Sequence, residues 1–360
     1  MSRMSLIESP LQQIIISPQT PISEAITILN SADMDVLLLC KNEYQLVGTL
    51  TCEQIRQAML SNHSLDQTCL TIANLNPITA PPKVSPSEAC HLMNSQGSFS
   101  SKHLPLVDQE GDVVNLLSSR DLFEPDRLPL SAVIMAGGFG TRLRPLTDEL
   151  PKPLLPIGDR PIMELIIEQL RDVGIQQFYV TLHYLPEKIM NHFGNGRSFG
   201  IDITYVSEDT PLGTAGALGL LENPDRPLLV INGDILTQLD FRAMWSFHRT
   251  HRAPLTVAVR PYELQVPYGV MESEGPYLRQ ISEKPRLNFL VNAGIYLLEP
   301  SVLAYIPVGR RFDMTDLIQA LLDSSLRVAN FPMIEYWLDI GKYNDYQQAQ
   351  KDFQSKRSAF

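Results

Sequence analysis

Long apolar runs are missing from this sequence. The longest, such as residues 36–40 and 227–231, have the length of buried strands and fall short of the ~20 residues that span a bilayer. No membrane partner is therefore expected. The opening stretch has no basic segment followed by an apolar core, so no secretory leader is expected either. Cysteine is scarce. Cys40, Cys52, Cys69 and Cys90 lie in the first quarter without a C-x-x-C spacing, which reads as buried free thiols in a reducing cytoplasm. Positive charge is short as well: the net charge is −11, and residues 1–130 carry 7 Lys+Arg against 14 Asp+Glu, leaving 22 against 26 for the remainder. That balance excludes the broad basic footprint of a nucleic-acid binder, and any phosphate site must be local.

What is present is a globular composition, 44% hydrophobic and 19% charged over 360 residues, enough for two or three domains. The first part holds an internal repeat. Ile22-Ser23-Glu24-Ala25 and Pro86-Ser87-Glu88-Ala89 each open a helical pattern, with the Ser-Glu-Ala triplets 64 residues apart (88 − 24). Each is followed by an apolar strand, a polar turn, a second strand and another helix. This order and these residues resemble a pair of CBS motifs, placed at 10–62 and 75–125 within a module spanning 1–125. The resemblance implies a small α/β unit that senses adenine nucleotides through a Ser/Thr-x-x-Asp at the last strand–helix junction. The second copy keeps that pattern as Ser118-Ser119-Arg120-Asp121, making Ser118 and Asp121 its ligand candidates. The first copy reads Thr51-Cys52-Glu53-Gln54, with Gln54 in the acidic position. A plain helix N-cap is the competing reading of Thr51 and Ser118. Pairs of this kind often associate face to face, so a homodimer is expected.

Residues 126–130 read as a linker, closing a stretch with two prolines and mixed charge. Within 131–355 the pattern becomes an alternation of strands (132–135, 177–182, 203–206, 228–231, 256–260, 293–298) and helices such as 161–173 and 214–221. That alternation predicts a Rossmann-like, mostly parallel, doubly wound α/β sheet, which binds ligands at the carboxyl ends of its strands. Gly137-Gly138-Phe139-Gly140-Thr141-Arg142 leaves the first of these strands directly, and Pro151-Lys152-Pro153 follows. Glycines in such a place let backbone N–H groups form an anion nest, and Arg142 and Lys152 add fixed positive charge. Rossmann spacing and the GKS/T of a P-loop are both absent. A second glycine turn, Asp209 to Gly216, opens a helix. Asn232-Gly233-Asp234 ends a very apolar strand, and Trp337-Leu338-Asp339-Ile340-Gly341 offers a distant second carboxylate. Mg²⁺ is commonly held by one or two carboxylates plus substrate phosphates.

Read together, these strings resemble the sugar nucleotidyltransferases, over residues 132–341 and in the expected order. The resemblance implies Arg142, Lys152 and Lys284 (of Glu283-Lys284-Pro285) as catalytic cations. It implies Gly137, Gly138, Gly140, Thr141, Gly213 and Thr214 around the nucleotide, and Tyr268, Gly269, Glu283, Asn292 and Gly294 around the sugar. Asp234 and Asp339 would hold Mg²⁺. The substrates implied are an NTP and a sugar-1-phosphate, joined by in-line attack with no general base. A CBS pair ahead of PLGTAG further resembles the bacterial sugar-1-phosphate guanylyltransferases: the glucosamine-1-phosphate type of the legionaminic acid route and, more loosely, the mannose-1-phosphate type. GTP is thus expected ahead of dTTP or UTP. No hexapeptide repeat follows Gly341, so a fused acyltransferase is not expected. His183, His248 and His251 lack metal spacing and a partner carboxylate, and read as structural or surface residues. Two rivals stand beside this reading: a non-catalytic nucleotide sensor, and a glycosyltransferase, whose D-x-D motif is missing here.

Overall fold

A computed structural model describes residues 11–32, 34–95, 102–118, 127–222 and 224–355. Strand β1 (Ile15–Ile16) runs parallel to β2 (Val36–Lys41), which pairs antiparallel with β3 (Gln45–Thr51). The helices Ile22–Ala32 and Cys52–Leu60 lay Ile22, Ala25, Leu29 and Ile55 on the same small core. In the second copy, helix Pro86–Asn94 leads to the antiparallel pair β4 (His103–Val107) and β5 (Val113–Ser118). The two ladders superimpose at a constant offset of 67 residues: Val36 faces Thr51 where His103 faces Ser118 (103 − 36, 118 − 51), and each carries its bulge at the same step. They meet turn to turn about a local twofold. The Leu46 N–H donates to the Gly111 carbonyl at 3.1 Å, and the Val113 N–H donates to the Tyr44 carbonyl at 2.9 Å. Cys40 and Cys69 are buried, while Cys52 and Cys90 are only half-buried. Burial pushes the Cys40 and Cys69 thiols up to about 11 and Cys52 to about 12, so none of these three is a thiolate near neutrality.

Leu128 and Leu130, at the end of the predicted linker, pack into the core of the second domain, and the Leu128 N–H donates to the Val173 carbonyl. Next come β6 (Ser131–Met135), the short hairpin β7 (Pro156–Ile157) and β8 (Arg160–Pro161), β9 (Gln177–Leu182) and β10 (Asp202–Ser207). They are followed by β11 (Leu228–Asn232), β12 (Ile235–Thr237), β13 (Leu255–Gln265), β14 (Val270–Glu274) and β15 (Tyr277–Ser282), then β16 (Arg286–Leu298), β17 (Val328–Pro332) and β18 (Trp337–Asp339). The main sheet has the order β10-β9-β6-β11-β16-β13-β17. β16 alone runs against its neighbours, and the other pairings of this sheet are parallel. Alternate residues enter different cores. Ile134, Leu229 and Ile231 face one, and Val133, Leu228 and Val230 face the other, so helices cover both sides.

Two sequence expectations need adjustment. The predicted helix 214–221 is a single α-turn, Gly213–Gly216, continued as the 3-10 segment Ala217–Leu220. Strand β17 was not anticipated, because its short VANFP run ends in proline and lacks clear alternation. The chain changes direction at β6, whose successors go one way to β9 and β10 and the other way to β11. Ligand crevices form at such switch points, beyond the strand carboxyl ends.

The first CBS-like copy packs on this domain beside β17. Arg56, 2% exposed, pairs with Glu335 and lies 4.7 Å over the Phe331 ring. Asn30 Nδ2 donates to the Ile334 carbonyl at 2.7 Å. No helix among the described residues is long and apolar enough to cross a membrane.

Candidate active site

The glycine-rich loop starts where β6 stops. A Cβ built on Gly137 would sit 2.8 Å from Glu208 Oε1, whereas Gly138 faces open space. Gly140 has φ 61° and caps the 3-10 turn Thr141–Leu143; a Cβ there would lie 2.9 Å from Thr147 Cγ2. The Thr147 hydroxyl donates to the Gly140 carbonyl at 2.8 Å, closing the loop on itself. Thr141 and Arg142 project outward from that turn. Lys152, 8% exposed, starts the next 3-10 turn, Lys152–Leu154. Behind the loop, Tyr184 Oη bonds the Thr147 and Asp148 carbonyls at 3.1 Å each, and His183 Nδ1 bonds the Glu208 carbonyl at 2.8 Å. Tyr184 thus braces the loop, and His183 meets it through an edge-on contact with the Phe139 ring, centroids 5.3 Å apart. His248 bonds Thr256 and Glu299, and His251 donates to the Phe247 carbonyl, both away from the crevice.

Asp234 follows β11. The Gly233 N–H donates to the Met135 carbonyl at 2.9 Å, which binds the ends of β11 and β6 together. The Lys152 ammonium pairs with Asp234. Asp339 arrives from far along the chain because β18 pairs antiparallel with β12, setting Ile235 opposite Asp339, and the Ile340 N–H donates to the Asp234 carbonyl at 3.0 Å. Asp339 opens to solvent on one side. Desolvation on its other side, then the Asp234 charge, raise its pKa, opposed by Lys152 and Arg142. Arg142 reaches this node beside Gly341, where a Cβ would lie 3.6 Å from Arg142 Nη1. Two cations and two carboxylates thus converge at the switch point. Among the described residues no group of three or more His, Cys, Asp or Glu could hold a metal unaided. A cation at Asp234 and Asp339 needs further oxygens, as phosphates supply.

The second glycine turn lies against Glu208, which sequence reasoning missed. Glu208 is 9% exposed, and its Oε2 accepts from the Leu212 N–H at 2.8 Å. Burial raises its pKa, against that hydrogen bond and His183. Its position at the carboxyl end of parallel β10 was the available signal. Gly213 has φ 81°, and a Cβ there would lie 2.5 Å from Asp313 Oδ1. The Thr214 N–H donates to Asp313, and its hydroxyl accepts from the Met314 N–H, so Thr214 also fastens helix Met314–Asp323.

The expected sugar residues divide. Gly294, at φ 72°, leaves room for Asn232; a Cβ would lie 2.7 Å from Asn232 Nδ2. Asn292 Nδ2 donates to Tyr296 Oη at 2.8 Å and its Oδ1 accepts from the Gly294 N–H, so its amide is held within its own strand. Tyr296 is buried, 3% exposed. Tyr268, Gly269, Glu283 and Lys284 occupy the outer arm of β13–β16, where a Cβ on Gly269 would sit 3.0 Å from Glu283 Oε2 and Lys284 has φ 45°. Among the described residues no hydrogen bond or ion pair links this arm cluster to Lys152 or the two aspartates. Ser118 ends β5 opposite His103, while Asp121 lies outside the described residues.

Residues 131–356 match the family model described as Nucleotidyl transferase, and residues 71–125 match that described as CBS domain. A UTP–glucose-1-phosphate uridylyltransferase of Synechocystis sp. is 38% identical over 242 residues, 61% of this chain and 62% of that protein. Mannose-1-phosphate guanylyltransferase 1 of Arabidopsis thaliana is 34% identical over 239 residues, 60% and 63% of the two chains. The chain thus covers less than two thirds of the length of either relative. A Bacillus anthracis structure, proposed to be a glucose-1-phosphate thymidylyltransferase and solved with sucrose, aligns at TM-score 0.51 and 27% identity, over 62% of this chain and 94% of its own.

The loop geometry makes one structural prediction. Gly140→Ala should destabilise the fold by about 1–3 kcal/mol, through positive φ and the Thr147 methyl. Thr147→Ser, which keeps the hydroxyl and removes that methyl, should recover part of the loss in the double variant. Urea melts of the four proteins check this, and strict additivity would disprove the contact.

Proposed function

The chain belongs to the nucleotidyl transferase family, and on that premise we propose that it transfers a nucleoside monophosphate from an NTP to a sugar-1-phosphate and releases pyrophosphate. The observation that carries the proposal is the convergence of Arg142, Lys152, Asp234 and Asp339 at the β6/β11 switch point. The attacking phosphate is already an anion, so the barrier is repulsion between two anions and no general base is needed. Arg142 and Lys152 offset that charge, and the Gly137–Gly138 backbone leaves room for phosphate oxygens. Lys284 would serve the sugar phosphate from the arm, and Tyr268, Gly269, Glu283, Asn292 and Gly294 would form the sugar wall. Asp234 and Asp339 fit Mg²⁺, because their mutual repulsion is what a cation relieves; when bound, Mg²⁺ supplies Lewis-acid charge to the phosphates.

GTP is the nucleotide this reading favours. Glu208 places a carboxylate acceptor against the turn expected to meet the base, and guanine presents N1–H and N2–H₂ donors side by side. Uracil and thymine present one such donor. Among sugars, an exposed carboxylate at Glu283 suits the ammonium of glucosamine-1-phosphate, with mannose- and glucose-1-phosphate as the alternatives. We also propose adenine-nucleotide binding around Ser118 and Asp121, a cytoplasmic setting and a homo-oligomer. Exposed apolar cross-strand pairs on one arm face, Tyr262 with Phe289 and Leu264 with Leu287, support association.

Pyrophosphate release with Mg²⁺, over five NTPs and four hexose-1-phosphates, tests the reaction. Lys152→Ala and Asp234→Ala should each cost on the order of 10²–10³ in kcat; turnover within a few-fold of wild type would sink the assignment. In the same assay, Glu208→Gln should lower the GTP-to-UTP ratio of kcat/KM by about tenfold, the worth of a hydrogen bond to a charged group. An unchanged ratio would remove Glu208 from base reading.

A pH experiment addresses the metal pair. Because the Asp339 pKa is raised on folding, the metal-free fold loses stability as pH rises through that raised value. Added Mg²⁺ should therefore raise the melting temperature most at neutral pH, and the gain should fade as acid protonates Asp339. Asp339→Asn should abolish this pH dependence. A gain that persists unchanged in the variant would place the cation elsewhere.

A further inference from the structure

Between the end of β17 at Pro332 and the start of β18 at Trp337, residues 333–336 belong to no strand or helix, yet they carry the chain to Asp339. With no ladder to fix it, this connection takes its path from what each residue touches. Its two ends are held by the catalytic domain. The Met333 N–H donates to the Val259 carbonyl at 2.8 Å, and the Tyr336 carbonyl accepts from the Gln238 N–H and the Thr237 hydroxyl at 3.0 Å each. Its middle is held by the first CBS-like copy. Ile334, 7% exposed, belongs to that copy's hydrophobic core together with Leu29 and Ile55, and its carbonyl accepts from Asn30. Glu335 pairs with Arg56, which stands on helix Cys52–Leu60.

The ion pair is the contact that sets a direction. Glu335 Oε1 meets Arg56 and accepts from the Asp240 N–H at 3.4 Å, while Oε2 accepts from the Ile334 N–H at 2.9 Å. Both carboxylate oxygens are thus committed, and the side chain is only 13% exposed. Without the guanidinium, that charge would stay partly desolvated with two backbone donors. A buried charge stripped of its partner is strongly unfavourable, so the side chain would turn toward water and draw the connection with it. Little slack lies beyond to absorb the shift. The Trp337 indole donates to the Ala293 carbonyl at 2.8 Å, β18 is registered on β12 with Asp339 opposite Ile235, and the Ile340 N–H donates to the Asp234 carbonyl. A displacement at Glu335 therefore passes to the short ladder that sets the two carboxylates.

We infer that Arg56 is a positioning residue for Asp339: by holding Glu335, the first CBS-like copy fixes the connection that brings the second carboxylate against Asp234. The inference rests on the reading of Asp234 and Asp339 as the cation pair. It makes this copy a structural part of the catalytic site, whatever ligand the module takes.

Arg56→Met alone would strand Glu335, so the test variant combines Arg56→Met with Glu335→Gln, which removes both charges and keeps an acceptor for the backbone donors. Leu60, one turn further along the same helix, packs on the catalytic core. Leu60→Ala is the control, because it loosens the seam and leaves the pair in place. Amide hydrogen exchange on the full chain, without metal or substrate, reads the connection directly. In the double variant the amides of residues 335–340 should exchange about tenfold faster than in wild type, a local opening, and in Leu60→Ala they should not. The Mg²⁺ requirement is read twice, as half-maximal pyrophosphate release and as half-maximal gain in melting temperature. It should rise about tenfold in the double variant, the scale on which partners behind metal ligands act, with both substrate KM values unchanged at saturating Mg²⁺. Arg56→Lys should keep part of the wild-type behaviour, since an ammonium still pairs with Glu335. Unaltered exchange, an unaltered Mg²⁺ requirement, or equal changes in Leu60→Ala would each overturn the inference and leave Arg56 an adhesive contact. Should no substrate pair turn over, the transfer reading fails, and the exchange and melting readouts still decide the role of Arg56.

Discussion

The repulsion between Asp234 and Asp339 is the constraint around which the carboxyl ends of the central strands are arranged. Left to themselves, two carboxylates so close in a partly desolvated place would separate or share a proton. Here they are held by backbone instead. The β12–β18 ladder sets Ile235 opposite Asp339, and the Ile340 N–H is spent on the Asp234 carbonyl. Lys152 and Arg142 counter the charge from the glycine loop, so the loop's position and the state of the aspartates depend on each other. This explains why the loop is braced from behind by Thr147 and Tyr184, with His183 edge-on to Phe139. A loop free to drift would leave the carboxylates uncompensated.

The same constraint gives meaning to where the CBS-like module docks. Arg56 and Asn30 grip Ile334 and Glu335, in the segment between β17 and β18 that delivers Asp339. That segment is also held within its own domain. The Gln238 N–H and the Thr237 hydroxyl both donate to the Tyr336 carbonyl, at 3.0 Å each. The docking site is thus a few residues along the chain from Asp339, whose pKa is raised by burial and by the Asp234 charge.

Legibility in the sequence followed the range of the physics involved. The glycine loop could be read because its demands are local: positive φ, close backbone approach, and basic residues within a short span. The alternation of apolar runs announced a sheet buried on both faces. It could not reveal that β16 runs antiparallel, since a strand's pattern is the same in either direction. Asp234 and Asp339 were each ambiguous alone, and only the β12–β18 pairing, a contact over about a hundred residues, joins them. Glu208 escaped for a related reason. A lone acidic residue after a strand reads as a turn residue, and only the fold shows that Glu208 closes the second glycine turn by accepting from the Leu212 N–H.

A buried ion pair is a poor choice for simple adhesion. Hydrophobic residues of similar volume often pack as well or better, because desolvating two charges offsets most of their attraction. Arg56–Glu335 is nevertheless the centre of the seam, and it is not isolated. Glu335 Oε1 also accepts from the Asp240 N–H at 3.4 Å. The pair therefore fixes where the two units meet more than how tightly they adhere: Glu335 is held by the Arg56 guanidinium and the Asp240 N–H together, which gives the contact one register, four residues before Asp339.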